Sequence, residues 1–168
     1  GTLGIGHTRW ATHGKPSSTN SHPHLDNSEK FAVVHNGIIE NYADLKEFLK
    51  SHKYHFLSET DTEVIPNLMH FYYESSKEKN EKRFMHAVTD ACKMLKGSYA
   101  LEILCSDFPK NMVVVRKDSP LVIGKGTGEC YISSDIPAIL SFTKDFYLLN
   151  DKEFAFIDKN NVTFYDEN

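Results

Sequence analysis

Gly4-Ile5-Gly6-His7-Thr8-Arg9-Trp10-Ala11-Thr12-His13-Gly14 fits neither a helical stripe nor a strand alternation. Its three glycines bracket polar and aromatic side chains, so it reads as a loop whose backbone bends sharply or approaches something closely. Arg9 carries the planar fork suited to a carboxylate or phosphate, because it can donate two parallel hydrogen bonds. Trp10, the only tryptophan, offers a rigid apolar lid with one donor. The plainer alternative is a surface loop with an exposed arginine and a tryptophan anchored in the core.

Downstream, residues 15–30 are turn chemistry throughout, so the loop is long, and loops of that length in compact domains are usually functional or disordered. Phe31-Ala32-Val33-Val34 reads as a short buried strand stopped by His35-Asn36-Gly37. Asn-Gly is a strong turn pair because both residues tolerate positive φ. The alternative to a bare turn is that the Asn36 amide and the Gly37 N–H project donors into a site.

Helical spacing begins at Asn41, a candidate cap, with Tyr42, Leu45, Phe48 and Leu49 on one face. Tyr54-His55-Phe56 reads as a short strand. Ser58-Glu59-Thr60-Asp61-Thr62-Glu63 precedes Val64, Ile65, Leu68, Met69 and Tyr72, so by itself it predicts a helix start capped by Thr60 or Asp61. A third helix is expected over 84–96, ending at Gly97. From Tyr99 the chain is mainly β, with strands at 99–105, 112–116, 121–123, 130–133, 146–149, 153–157 and 162–165, and a short helix at 135–140. Short polar turns between successive strands predict antiparallel pairing in an α+β layered domain.

At 168 residues the chain suits one domain, or two very small ones. Its 25 % charged residues and net charge of −4 point to no nucleic acid and no acidic membrane surface. No apolar run approaches a membrane span. Cys92, Cys105 and Cys130 are odd in number and far apart, which argues against a disulfide scaffold or structural zinc and for a reducing cytoplasm. Of nine histidines, His7, His13, His22, His24 and His35 fall in the first 35 residues. They lack the helical spacing of a metal pair, so they read as fixing a polar loop by hydrogen bonds, and neither metal nor cofactor is expected.

Gly6 to Gly14, Val34-His35-Asn36-Gly37-Ile38-Ile39-Glu40-Asn41 and Ser58 to Glu63, in that order and spacing, resemble the glutaminase domain of class II (N-terminal nucleophile) glutamine amidotransferases. The likeness is greatest to the branch that aminates fructose 6-phosphate. Asn20-Ser21-His22-Pro23-His24, Lys96-Gly97-Ser98-Tyr99-Ala100 and Ser119-Pro120-Leu121-Val122-Ile123-Gly124 extend it over almost the whole chain.

The resemblance implies an Ntn-hydrolase-type four-layer αββα sandwich with mainly antiparallel sheets. It implies that Arg9 binds the α-carboxylate of glutamine and Asp61 its α-ammonium, with Thr12 and His13 adding contacts from the loop. Asn36 and Gly37 would form the oxyanion hole. Trp10 would stand near the ammonia exit. The family's nucleophile is a cysteine at the mature N-terminus, whose α-amino group is its base. Here Gly1 comes first, and none of the three cysteines matches that position.

Residues 1–168 are therefore expected to be a partial, N-terminally truncated glutaminase domain, inactive alone. A C-terminal sugar-phosphate isomerase domain would be its partner in the parent chain. Exposed strand edges would favour a homo-oligomer. A different acceptor, such as phosphoribosyl pyrophosphate or aspartate, and a non-catalytic amino-acid-binding module are the competing readings.

Overall fold

The computed structural model describes residues 2–10, 13–158 and 161–166. Its backbone is a six-stranded antiparallel sheet built around two nine-residue strands, β2 (Phe31–Ile39) and β3 (Gly97–Cys105). They pair in unbroken register from Phe31 opposite Cys105 to Ile39 opposite Gly97. β1 (His24–Leu25) flanks β2, and β4 (Asn111–Lys117) flanks β3. β8 (Phe154–Asp158) and β9 (Asn161–Tyr165) complete the sheet. A second, three-stranded sheet is formed by β5 (Val122–Lys125) between β6 (Cys130–Ser133) and β7 (Phe146–Leu148).

Alternation along the strands explains the layering. Phe31, Val33, Ile39, Leu101, Ile103, Val113 and Val115 share one core with helices α1 (Tyr42–Ser51), α2 (Val64–Ser75) and α3 (Glu81–Met94). Ala100, Met112, Val114, Ala155 and Ile157 form a second core with Ile123 of the small sheet and with Leu121 and Leu149, which flank its strands β5 and β7. Both faces of the large sheet are covered, so β4 can run Met-Val-Val-Val with no polar interruption. α3 buries Phe84, Ala87, Val88, Ala91 and Cys92 at helical spacing. The result is an α+β sandwich of Ntn-hydrolase type. On the outer side of the small sheet, Ile139 and Thr143 lie against Gly124.

Four local expectations are corrected. Asn36-Gly37 is not a turn: β2 runs straight through it, with Gly37 opposite Tyr99 at φ +125. Any side chain there would meet the Ser98 carbonyl, so glycine lets the two strands close up rather than turn. Asn41 does not cap α1 through its side chain. Its amide spans the α3–β3 junction instead, donating to Met94 O and accepting from Lys96 N. Residues 54–56 form no strand, because the Asn27 side chain takes the place of a partner strand by bonding both His55 N and His55 O. Residues 135–140 make turns rather than a helix, closed by Ile139 N–H to Ile136 O. The other predicted strands and helices fall where the sequence places them, with ends shifted by up to three residues, while β1 lies inside the stretch expected to be loop.

Candidate active site

β2 delivers His35, Asn36 and Gly37 to a cavity of about 150 Å³ at the edge of the sandwich. Segment 58–63 brings Thr60, Asp61 and Thr62 to its wall, and the first loop brings His7, Arg9, Trp10 and His13. The structure thus gathers every predicted site residue it describes, and Thr12 lies outside the described residues.

The cap-like reading of 58–63 fails for a specific reason. Glu63 turns back to accept from Leu57 N, Ser58 N and Ser58 Oγ, which holds the segment in a tight bend before α2. Thr60 and Asp61 are then too far upstream to cap, and they point into the site. Asp61 is 3 % exposed, with Oδ2 accepting from Ile39 N at 2.7 Å. Its Oδ1 accepts no hydrogen bond among the described residues and lies 3.7 Å from His13 Nδ1. A buried carboxylate with one oxygen free of hydrogen bonds among the described residues suits a cationic partner.

Arg9 spends its fork on the backbone, donating to His13 O at 2.7 Å, Gly14 O at 3.2 Å and Lys15 O at 3.2 Å. Asn20 pins the same turn to segment 58–63, donating to Lys15 O and accepting from Glu59 N. Loop and wall are thus tied together by hydrogen bonds of the protein itself. Trp10 is 92 % exposed at the rim, which excludes the core-anchored alternative. It borders this cavity and a second one of about 320 Å³ that runs between the sheets past Glu102. Val34 and Val114 flank Glu102 across the strands, and burial pushes its carboxyl up to about 7.

Five lining residues escaped prediction as site residues: His7, His22, His35, Thr60 and Thr62. His22 stacks on His7, with ring centres 4.2 Å apart, and meets His24 edge-on. His24 Nε2 lies 3.0 Å from Thr60 Oγ1, and His35 Nδ1 lies 2.9 Å from Thr62 Oγ1. For the histidines, early clustering in the sequence was the available signal. Burial pushes His22 down to about 3, helped by His7, His24, His35 and Arg9, and burial also lowers His24 and His35. These three rings are therefore neutral hydrogen-bonding groups at neutral pH, leaving Arg9 and Asp61 to supply charge.

An acid-stability profile follows. For each of these three histidines the folded pKa lies below the unfolded one, so the unfolded chain takes up the proton first. Their stability contribution is whole above about pH 6.5 and falls as pH drops toward about 3. Urea midpoints are expected to decline from about pH 7 to about pH 5, less steeply in His22→Gln. Equal slopes in the two proteins would remove His22 from the profile.

The profile of the glutamine amidotransferase domain family matches residues 7–141. Glutamine–fructose-6-phosphate aminotransferase (isomerizing) of Clostridium perfringens is 55 % identical over 99 % of this chain, and that of Caldanaerobacter subterraneus is 53 % identical over 99 %. The chain spans about a quarter of these relatives' length, 26 % in both. Among solved structures, glutamine phosphoribosylpyrophosphate amidotransferase from B. subtilis superposes with a TM-score of 0.76 at 24 % identity, covering 96 % of this chain and 34 % of that one. With a family profile spanning most of the chain and relatives at more than half identity, this protein belongs to the glutamine amidotransferase domain family.

Proposed function

We propose that this chain is the glutaminase domain of a cytoplasmic glutamine–fructose-6-phosphate aminotransferase. The observation that carries the reading is buried Asp61, whose Oδ1 accepts no hydrogen bond among the described residues, in the same cavity as Arg9, Asn36 and Gly37. Asp61 takes the α-ammonium of glutamine, while Arg9, Thr12 and His13 hold the carboxylate end and the loop. Asn36 and Gly37 stabilise the oxyanion formed when a thiolate attacks the carboxamide carbon. Collapse of that intermediate breaks the C–N bond and releases ammonia. Water then cleaves the thioester to glutamate.

The thiolate comes from outside these 168 residues. None of the three cysteines borders the cavity, and burial pushes Cys105 up to about 11 and raises Cys130, so neither is a ready thiolate. Trp10, on the rim shared by the two cavities, is suited to guard the ammonia exit. The named relatives favour fructose 6-phosphate as acceptor, with a sugar-phosphate isomerase domain beyond the glutaminase. A phosphoribosyl pyrophosphate acceptor is the second reading, supported by a structural likeness at far lower identity. Leu148 on β7 of the small sheet, Phe142 in the turns before it and Tyr165 on edge strand β9 of the large sheet are exposed and suit self-association.

Calorimetric titration tests the pocket, with glutamine and glutamate binding and asparagine not. Formation of glucosamine 6-phosphate by the full-length protein tests the acceptor. In that protein, Arg9→Lys is expected to raise the KM for glutamine by about 10-fold, because a lysine keeps the charge but has no planar fork to brace the carbonyls of residues 13–15 and reach the carboxylate as well. An unchanged KM would take Arg9 out of the carboxylate role.

A further inference from the structure

We propose that His7 is a positioning residue that fixes which end of the Asn36 amide is free to donate. The inference rests on the oxyanion role given above to Asn36. The main-chain N–H of Arg9 donates to His7 Nδ1 at 3.0 Å. A backbone N–H can only donate, so Nδ1 is a bare acceptor and the neutral ring carries its proton on Nε2. Nε2 lies 2.5 Å from Asn36 Oδ1. The ring therefore donates to the amide oxygen, and the Asn36 NH2 is left without a partner among the described residues. The opposite amide orientation would set two donors against each other.

The ring is itself held. His22 stacks on it at 4.2 Å with the planes 21° apart, and His22 Nδ1 in turn accepts from His35 N at 3.2 Å. Arg9 has φ +54, an uncommon conformation for an arginine, and its N–H is the group that sets the His7 tautomer. The terminal torsion of asparagine is soft and roughly two-fold, so an unheld amide would turn its oxygen toward the developing negative charge in part of the population. A hydrogen bond at Oδ1 also polarises the amide and strengthens its N–H donors.

Kinetics of the full-length protein and nitrogen-15 NMR of its imidazoles test this. His7→Leu should lower kcat for glutamine by about 10-fold with KM within about two-fold. His7→Gln, whose side-chain N–H can take the place of Nε2–H, should recover most of the loss. Combining His7→Leu with Asn36→Ala should be no slower than Asn36→Ala alone. NMR should show His7 protonated on Nε2 and bare on Nδ1. A His7 ring protonated on Nδ1, an unchanged kcat in His7→Leu, a multiplicative double mutant or no recovery in His7→Gln would each overturn the proposal. A normal kcat in Asn36→Ala would instead refute the oxyanion reading itself, and the NMR tautomer would still decide the His7–Asn36 contact. Should His7→Leu fail to fold, His7→Gln and the NMR measurement decide.

Discussion

Asn36→Ala in the full-length protein is expected to lower glutamine turnover by ~100-fold or more, with the KM for glutamine little changed. The side chain stands on a nine-residue core strand, with its oxygen committed to His7 and its NH2 free of any partner among the described residues. A donor held this way costs no reorganisation when charge appears on the substrate oxygen, which is why its removal is felt in kcat. In the proposed reading ground-state recognition rests on different residues, Arg9 and Asp61, so binding should survive. Because Asn36 is only half-buried and its backbone stays in the ladder, alanine should fold normally. If the substitution weakened binding and spared turnover, the oxyanion assignment would be wrong.

Gly37→Ala is expected to destabilise the protein by about 3–5 kcal/mol and to abolish turnover along with it. An added methyl would lie 2.2 Å from Ser98 O, 2.7 Å from Ser98 C and 3.0 Å from Tyr99 Cα. Those are backbone atoms of the paired strand, so no side-chain rotation relieves the clash. The φ of +125 adds strain for any residue with a Cβ. Gly97, two residues before Tyr99 on β3, is in the same position toward Ile38 O. The two strands thus approach each other through a pair of glycines, one on each. Urea unfolding measures the effect, and a loss under about 1 kcal/mol would mean that β2 and β3 separate here more easily than the geometry implies.

The sandwich was legible because its elements are long and periodic: α3 shows its core face at helical spacing, and the late strands are set off by polar turns. The lining of the candidate site was legible in part by residue type, since Arg9, Asn36 and Asp61 all border the same cavity. Their local structure was not. Asn36-Gly37 has the composition of a turn, and only the Ser98 carbonyl, 61 residues beyond Gly37, shows why a glycine is needed within a strand. Segment 58–63 has the composition of a helix cap, yet its side chains answer partners elsewhere, Thr60 to His24 and Thr62 to His35. Those pairs are separated by 36 and 27 residues, so a reading of local windows could not join them. The histidine cluster was visible as a count but not as a network.

The course of β2 has a consequence for how the site moves. Asn36 and Gly37 belong to the ladder between the helices and the small sheet, so displacing them requires opening the core of the domain. Arg9 and Trp10 are held by a loop tied down through a handful of hydrogen bonds to carbonyls and to Asn20. One half of the cavity is therefore coupled to global unfolding, while the other can open and reclose many times within a folded lifetime. On the proposed reading, substrate can come and go through the loop while the strand that carries Asn36 stays in place, and reclosure brings His7 back onto the Asn36 amide.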